Sequence, residues 1–293
     1  MAYLTTQSLR DLHPRELKGL VKEIPTLPPI YQQLFRMMQD PDVSVAQVAE
    51  VIAKDQALAA KILHLVNSAF CGMKREIKTI NRAVVILGFA AVRSAALAIG
   101  VFDYFKDTTG EEKSELVRFW EHSIAVASVN KVLARHWNLF SGEEAFVAGL
   151  LHDTGKLVMK RYFPCDVADL GEYTRTHRTT WYEGERTLLQ ANHTTIARVL
   201  FRAWQFPISL VDAVHRHHEP GSGQPPSPLA ALTHQADLLS YQLGKGSPLS
   251  GPPTACDPAA CTILGFMPEE ALQLRDSFTE EIRQALAILD LVT

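Results

Sequence analysis

The segment "GLLHDTGKL", residues 149–157, places an imidazole and a carboxylate side by side. Imidazole nitrogen and carboxylate oxygen together suit divalent ions of borderline softness, such as Zn, Mn, Fe, Co and Ni. On one helix His152 and Asp153 would point about 100° apart, so both can reach one site only near a helix end. The alternative is that they are merely polar residues at the end of a buried helix.

Other residues in the chain have the types that would complete such a centre. In chain order the set is His122, His152, Asp153, His193, His217, His218 and Asp237. A carboxylate can bridge two ions, and Gly155 would keep the backbone close to the site. Lys156 would meet an anionic ligand such as a phosphate group. His234, one turn before Asp237, would either replace a poorly placed ligand or face solvent, and helical spacing favours solvent.

Length and composition indicate an ordinary globular protein. The chain has 293 residues, of which 47% are hydrophobic and 21% charged, with a formal net charge of -3. Such a chain makes one large or two small domains, each able to bury a core. The charge gives no reason to expect a protein that coats nucleic acid, and the longest apolar run, 83–92, is too short to cross a membrane.

The cysteines give no strong signal for a metal site or a disulfide. Cys71, Cys165, Cys256 and Cys261 include no C-x-x-C pair, and the last two lack a second pair with which to bind a metal. The N-terminus has no charged start followed by an apolar core, so we predict no signal peptide. We therefore expect a cytoplasmic protein without disulfides.

Apolar residues recur at helical spacing through almost the whole chain, and no alternating run is long enough to predict a strand. Two capping-box pairs, Ser44 with Gln47 and Ser141 with Glu144, would each open a helix. Gly88 interrupts an apolar helix and would allow two backbones to approach closely. The sequence therefore predicts an all-α protein, built as a two-lobed helical bundle.

The ordered ligand set resembles that of HD-domain phosphohydrolases, and "HDTGK" matches the HDxGK segment of their HD-GYP branch. "HHEPGSGQPP" stands where that branch continues to its Gly-Tyr-Pro signature. Two segments of the first half, "LPPIYQQLFRMMQDPDVSVAQVAEVIAKDQALAAKILHLVNSAF" and "IKTINRAVVILGFAAVRSAAL", are similar to the N-terminal lobe of the HDOD family. "FWEHS" and "AGLLHDTGKL" are similar to its second half. The resemblance covers about residues 23–240.

The resemblance, together with the polar, turn-rich segment 105–115 and the Pro/Gly-rich segment that begins at 244, suggests a domain division. We expect a helical extension over 1–22, the first helical lobe over 23–108 and an HD-type helical lobe over 109–243. Residues 244–293 would form a Pro/Gly-rich loop and a closing amphipathic helix over 268–289. We expect that helix to pack on the second lobe, and a dimer interface is the alternative, so the chain would be a monomer or a dimer.

By resemblance, the ligands divide between one or two divalent ions. One ion would be held by His122, His152, Asp153 and Asp237, and a second by His193, His217 and His218. Asp153 would be the bridge. If both ions bind, the resemblance implies phosphoester hydrolysis, with Asp153 and Lys156 as catalytic residues. Because the Gly-Tyr-Pro signature is replaced, neither cyclic-dinucleotide specificity nor turnover follows from it.

Three functions remain open at this point. The first is a bacterial HDOD-type signalling module that binds a protein partner or a small phosphate-containing ligand, with the metal centre as a structural clamp. The second is a metal-dependent phosphodiesterase or phosphatase. The third is a nucleic-acid-linked regulator, because residues 44–68 loosely resemble a helix-turn-helix. The second helix of that pair lacks the polar face that groove contacts need, so we expect no nucleic-acid partner.

Overall fold

A computed structural model describes residues 8–10, 28–37, 40, 42–69, 77–105, 111–249, 255–286 and 289. Within these ranges the chain forms helices and no strand, which confirms the all-α prediction. None of these helices is both long and apolar enough to cross a membrane. Cys71 and most of the extension expected over 1–22 lie outside the described residues.

The first part of the chain is a lobe built on one long helix. Its helices are α1 (Pro29–Met37), α2 (Val45–Ala53), α3 (Gln56–Ala69) and α4 (Ile80–Phe105). α4 contacts each of the other three. The predicted capping box opens α2, because Ser44 Oγ accepts from the N–H of Gln47 and the Gln47 amide oxygen accepts from the N–H of Ser44.

Gly88 divides α4 into two helical halves. Its φ of 84° lies in the left-handed region, which glycine enters without the steric cost that a Cβ would bring. The predicted close approach of two backbones at this glycine is wrong, because a Cβ placed there would meet no heavy atom within 4 Å. The residue is needed for its backbone conformation.

The second part of the chain packs around another long helix. Its helices are α5 (Glu111–His136), α6 (Gly142–Leu151), α7 (Thr154–Tyr162), α8 (Pro164–His177), α9 (Trp181–Leu188), α10 (His193–Ala203), α11 (Ile208–Arg216) and α12 (Pro228–Gln242). α5 contacts α6 and α12, and α6 also contacts α4 of the first lobe. Gly149 allows α5 and α6 to approach closely, since a Cβ there would lie 2.7 Å from the Cα of Ala127. The domain limits at 108 and 243 stay predictions.

The predicted capping pair at the start of α6 is half confirmed. Ser141 Oγ accepts from the N–H of Glu144 at 3.1 Å. The Glu144 carboxylate instead accepts from Ser209 Oγ at 2.8 Å. α6 ends at Leu151 with His152 as its C-cap, so the adjacent imidazole and carboxylate stand at a helix end, where both can reach one site.

The closing segment, predicted as one amphipathic helix, is broken. α13 (Pro258–Leu264) arises inside the predicted loop and is followed by α14 (Pro268–Ala271), a 3₁₀ turn (Leu272–Leu274) and α15 (Arg275–Ala285). Residues two apart on an α-helix point about 200° apart. The 3₁₀ turn winds more tightly than an α-helix and brings the two directions closer together, so Leu272 and Leu274 both pack against the core.

α15 packs on α5, as predicted for the closing segment. It buries Phe278, Ile282 and Ala285, and Phe278 is 0% exposed. Lys131 of α5 and Glu281 of α15 form a buried ion pair beside this contact. Burial of one large apolar side chain contributes about 1.5–3 kcal/mol, so α15 stabilises the second lobe substantially.

Phe278→Ala removes the largest fully buried side chain of α15. We expect the free energy of unfolding to fall by about 3–5 kcal/mol, from lost burial and the remaining cavity. Urea unfolding followed by circular dichroism measures this, with the exposed Ser277→Ala on the same helix as control. Unchanged unfolding together with an altered oligomeric mass would contradict the packing and place α15 in a dimer interface.

Candidate metal centre

The seven residues predicted as metal ligands converge at one place in the second lobe. They form two groups, the first of His122, His152 and Asp237 and the second of Asp153, His193, His217 and His218. Within each group the ligand atoms lie within 4.8 Å of one another. α5, α10 and α12 each contribute one ligand, and the remaining four follow the C-terminal ends of α6 and α11.

Asp153 lies between the two groups, with one carboxylate oxygen facing each. Oδ1 is 3.3 Å from Nε2 of His193 and 3.7 Å from Nε2 of His217. Oδ2 is 3.3 Å from Nε2 of His152 and 3.9 Å from Nε2 of His122. A carboxylate in this position can bridge two cations.

Four of the imidazole rings are held through Nδ1 by an oxygen acceptor. The Nδ1 of His122 lies 2.7 Å from the main-chain oxygen of Lys245, and the Nδ1 of His152 lies 2.7 Å from that of Gly149. The Nδ1 of His217 lies 2.8 Å from the main-chain oxygen of Val214, and the Nδ1 of His193 lies 2.6 Å from the Glu185 carboxylate. These oxygens can only accept, so in the neutral form of each ring the proton lies on Nδ1 and the lone pair on Nε2. Acceptor nitrogens therefore face the acceptor oxygens of Asp153.

The convergence of acceptors leaves buried polar atoms without hydrogen-bond partners. They are Nε2 of His122, His152, His193, His217 and His218, and Oδ1 of Asp153 and Asp237. An unsatisfied buried polar atom costs about 1–3 kcal/mol, so a cluster of them is unfavourable by itself. A cation among them would satisfy several at once, and the donor types fit a transition metal.

Two imidazoles and the bridging carboxylate of the centre are in the protonation states that bind a metal. Burial and the neighbouring imidazoles lower the pKa of His217 and His218 well below the ordinary value, so both rings are neutral at pH 7. Burial alone would raise the pKa of Asp153, but the charges of His152 and Lys156 outweigh it and hold that pKa well below its usual range. Burial alone would lower the pKa of His152, but Asp153 outweighs it and raises that pKa, so a metal would displace a proton from this ring. Neutral imidazole and ionised carboxylate are the ligand forms.

Lys156 does not face an open ligand space, which differs from the expectation that it would meet a phosphate group. Its Nζ donates to Oδ2 of Asp153 at 2.6 Å, and the residue is 4% exposed. The two side chains meet because they are three positions apart at the start of a helix. Lys156 belongs to the centre as a partner of the bridging carboxylate.

His234 lies outside both groups, and the expectation that it faces solvent is wrong. Its Nδ1 donates to the main-chain oxygen of His217 at 2.7 Å, and its Nε2 accepts from the N–H of Asp257 at 2.8 Å. Both ring nitrogens are therefore engaged with the backbone. The half-buried ring joins the C-terminal end of α11 to the segment before α13.

Glu185 is a site residue that the sequence analysis missed. Its Oε2 accepts from the main-chain N–H of His193 at 3.0 Å and from Nδ1 at 2.6 Å, and both residues are 0% exposed. α9 buries Trp181, Gly184 and Glu185 on one face. A carboxylate on the buried face of a short helix was the available signal, because such a group is almost never fully buried without a partner.

Gly155 allows α7 to approach the start of α10. A Cβ at this position would lie 1.9 Å from the main-chain oxygen of His193. That oxygen belongs to the backbone and cannot rotate away as a side chain would. The glycine therefore sets the distance between Asp153, just before α7, and His193, the first residue of α10.

The centre is closed to solvent on most sides. His152, His193 and His217 are 0% exposed, and Asp153 is 1% exposed. His218 is half-buried, and the ring of Tyr182 stacks on it with the centroids 4.3 Å apart. Asp237 of the first group is 8% exposed, so solvent approaches the centre at Asp237 and beside the Tyr182–His218 stack.

An all-α fold with a histidine–aspartate pair at a helix end, and further histidines from neighbouring helices, defines an HD-type helical protein. A sequence model of the HDOD domain matches residues 24–220, which is more than half of the chain. The chain belongs to the HDOD domain family.

Solved structures share this fold. An HDOD domain protein of unknown function from Geobacter sulfurreducens is 24% identical, with a TM-score of 0.75 over 93% of this chain and 95% of that one. A candidate phosphohydrolase from Shewanella amazonensis is 25% identical, with a TM-score of 0.71 over 93% and 99%. A curated relative, an uncharacterised protein of Treponema pallidum, is 25% identical over 203 residues. That match covers 68% of this chain but 38% of the relative's length.

Gly155→Ala places a methyl group against the main-chain oxygen of His193. We expect α7 and α10 to be forced apart, with a loss of about 1–3 kcal/mol in the free energy of unfolding. Gly171→Ala in α8 is the matched control, because a Cβ there meets nothing within 4 Å. Urea unfolding of both variants measures the difference, and equal stabilities would show that the α7–α10 contact is not tight.

Proposed function

We propose that this chain is a regulatory module of the HDOD family whose second lobe holds one or two divalent transition-metal ions. One observation carries the proposal, namely the Nδ1 contacts of four buried imidazoles. Their Nδ1 atoms are committed to oxygen acceptors, so the Nε2 lone pairs are directed at the Asp153 carboxylate. A buried set of this kind needs positive charge, and neutral imidazoles with carboxylates are metal ligands.

Each of the two groups of the centre would hold one ion. His122, His152, Asp237 and Oδ2 of Asp153 would hold the first, and His193, His217, His218 and Oδ1 of Asp153 the second. Nitrogen-rich sites with carboxylates and no thiolate favour Fe, Mn, Zn, Co or Ni over Mg or Ca. Ions bound there would supply Lewis acidity, lowering the pKa of a water molecule and neutralising charge on a phosphoryl group.

Burial of the centre favours regulation over turnover. The bridging Asp153 is 1% exposed and Lys156, 4% exposed, is paired with it, so within the described residues neither side chain is presented to a phosphodiester in solution. Bound metal would instead tie the elements that carry its ligands, stabilising one arrangement by its binding free energy. α6 connects the centre to the first lobe, because His152 is its C-cap and the helix contacts α4. A protein partner would respond to this arrangement, or a small phosphate-containing ligand would set it.

Metal-dependent phosphoester hydrolysis is the second candidate. It is favoured by the position of Asp153 between two metal-ligand groups, which is the arrangement that two-metal phosphoester chemistry uses. The candidate phosphohydrolase that shares the fold supports the same assignment. Asp153 would be a ligand that the two ions share. Lys156 would bind a phosphate oxygen once its contact with Asp153 opened.

Metal content per chain tests the centre directly. We expect between one and two ions per chain in untagged protein and near-zero content in the His152→Ala/Asp153→Ala variant, which loses a ligand of each group. His177→Ala, an exposed histidine outside the centre, is the control and should keep the metal. Elemental mass spectrometry gives the result, and absence of metal in the native chain after reconstitution would overturn the proposal.

Turnover separates the two candidate functions. Metal-loaded protein is incubated with bis(p-nitrophenyl) phosphate, with the His152→Ala/Asp153→Ala variant as background. The regulatory module predicts metal without turnover above that background. Turnover that rises with metal content and disappears in the variant would establish the hydrolase instead.

Glu185→Ala tests how the second group is held. Loss of the carboxylate frees Nδ1 of His193, so we expect affinity for the second ion to fall about 10–100-fold. The first ion should bind as before, and Glu185→Gln, which keeps one acceptor oxygen, should restore part of the affinity. Calorimetric metal titration measures both sites, with the exposed Glu172→Ala as control. Equal weakening of both ions would contradict a role specific to His193.

A further inference from the structure

Two cysteines lie in contact outside the metal centre. The sulfur atoms of Cys256 and Cys261 are 3.4 Å apart, and both residues are half-buried. Cys256 directly precedes Asp257, the N-cap of α13, and Cys261 lies within that helix. The pair is therefore held together by the start of a helix. This contact was not expected from the sequence, which predicted no disulfide.

The two sulfur atoms have different surroundings. Nε2 of Gln235 donates to Sγ of Cys261 at 3.7 Å, and the thiol of Cys256 can donate either to the same atom or to the main-chain oxygen of Asp257. Burial, together with the contact to Cys261, raises the pKa of Cys256 to about 12, so its thiol stays protonated at neutral pH. Because the donors point at Cys261, we assign the first attack to Cys261 and the resolving role to Cys256.

Hydrogen bonds connect this pair to the metal-ligand group. The N–H of Asp257, the residue after Cys256, donates to Nε2 of His234 at 2.8 Å. The opposite ring nitrogen of His234 donates to the main-chain oxygen of His217 at 2.7 Å. One histidine ring therefore joins the residue beside the thiols to the backbone of a candidate ligand.

We propose that Cys256 and Cys261 form a reversible disulfide by exchange with a small-molecule disulfide, such as oxidised glutathione, and that the disulfide alters the backbone at His217. The thiolate of Cys261 attacks one glutathione sulfur, breaks the S–S bond and releases one glutathione thiolate, which takes up a proton. Once Cys261 carries the glutathione, its contact no longer raises the pKa of Cys256. Cys256 then loses its proton to solvent and attacks Sγ of Cys261, releasing the second glutathione. Two protein thiols are oxidised and one disulfide is reduced to two thiols.

Closure of the disulfide moves the chain at Asp257. The sulfur atoms must come from 3.4 Å to about 2.05 Å, which draws residue 256 toward α13. The N–H of Asp257 follows, so its hydrogen bond to His234 weakens, and the contact of His234 with His217 loosens with it. Disulfide formation does not depend on a bound metal. Its consequence for metal binding rests on the proposed function.

Peptide mapping of the full native chain tests the first step. After treatment with oxidised glutathione and digestion with trypsin, we expect the one peptide that contains Cys256 and Cys261 to lose two hydrogen masses and to regain them with dithiothreitol. Cys165, which is exposed, serves as internal reference and should carry a glutathione adduct. In Cys256→Ser, Cys261 should retain the adduct. A lasting adduct on the native pair, or reaction only in urea, would overturn the proposal.

Hydrogen–deuterium exchange of metal-free protein tests the second step. We expect the peptide that contains His217 to exchange faster after oxidation in the native chain, and at an unchanged rate in Cys256→Ser treated in the same way. A disulfide that forms without changing this exchange would overturn the connection to His217. Because the protein is metal-free, neither result depends on the metal-content experiment, so the two proposals fail separately.

Discussion

The centre depends on a cluster of acceptor atoms that repel one another in a buried space. Two of its rings are oriented in the same way at two helix ends. His152 caps α6 and bonds to the oxygen of Gly149, and His217 caps α11 and bonds to that of Val214, in each case three residues earlier. The last carbonyls of a helix have no partner within the helix. Here they accept the Nδ1 protons and direct the Nε2 lone pairs inward, so the ends of α6 and α11 build the site.

Such a cluster is maintained only because the surrounding backbone is packed closely. Gly149 lets α6 lie against α5, and Gly155 lets α7 lie against the start of α10. These two approaches fix the positions of Asp153 and His193 from both sides. Since an interior at normal packing density relaxes only partially, the ligands cannot move apart to relieve their repulsion. The free energy of that repulsion is what a bound cation would remove, and metal affinity and fold stability are therefore coupled.

The candidate ligands could be picked out from their types and order, and α2 and α6 from their capping residues. No capping pair marks the start of α7 or α8, and several of their buried positions are polar. α7 buries Thr154, Gly155 and Lys156 at the centre, and α8 buries Asp166, which accepts hydrogen bonds from Ser8 and the N–H of Leu9. Hydrophobic periodicity does not detect a face whose buried groups are polar and partnered. Glu185 was not predicted, because it is also a buried polar group. Its partner His193 lies on another helix, so the pair leaves no local pattern in the sequence.

Closure of the centre decides how it can be used. An ion or ligand reaches the second group only if the stacked rings of Tyr182 and His218 separate or if α10 and α11 move. Occupancy is then linked to a conformational equilibrium, because a ligand shifts the population toward the state that binds it better. α6 joins the centre to α4 of the first lobe, and His234 joins it to the segment before α13. A buried centre with two such connections suits a module that reports its state to a partner, because open access is needed for turnover and not for that role.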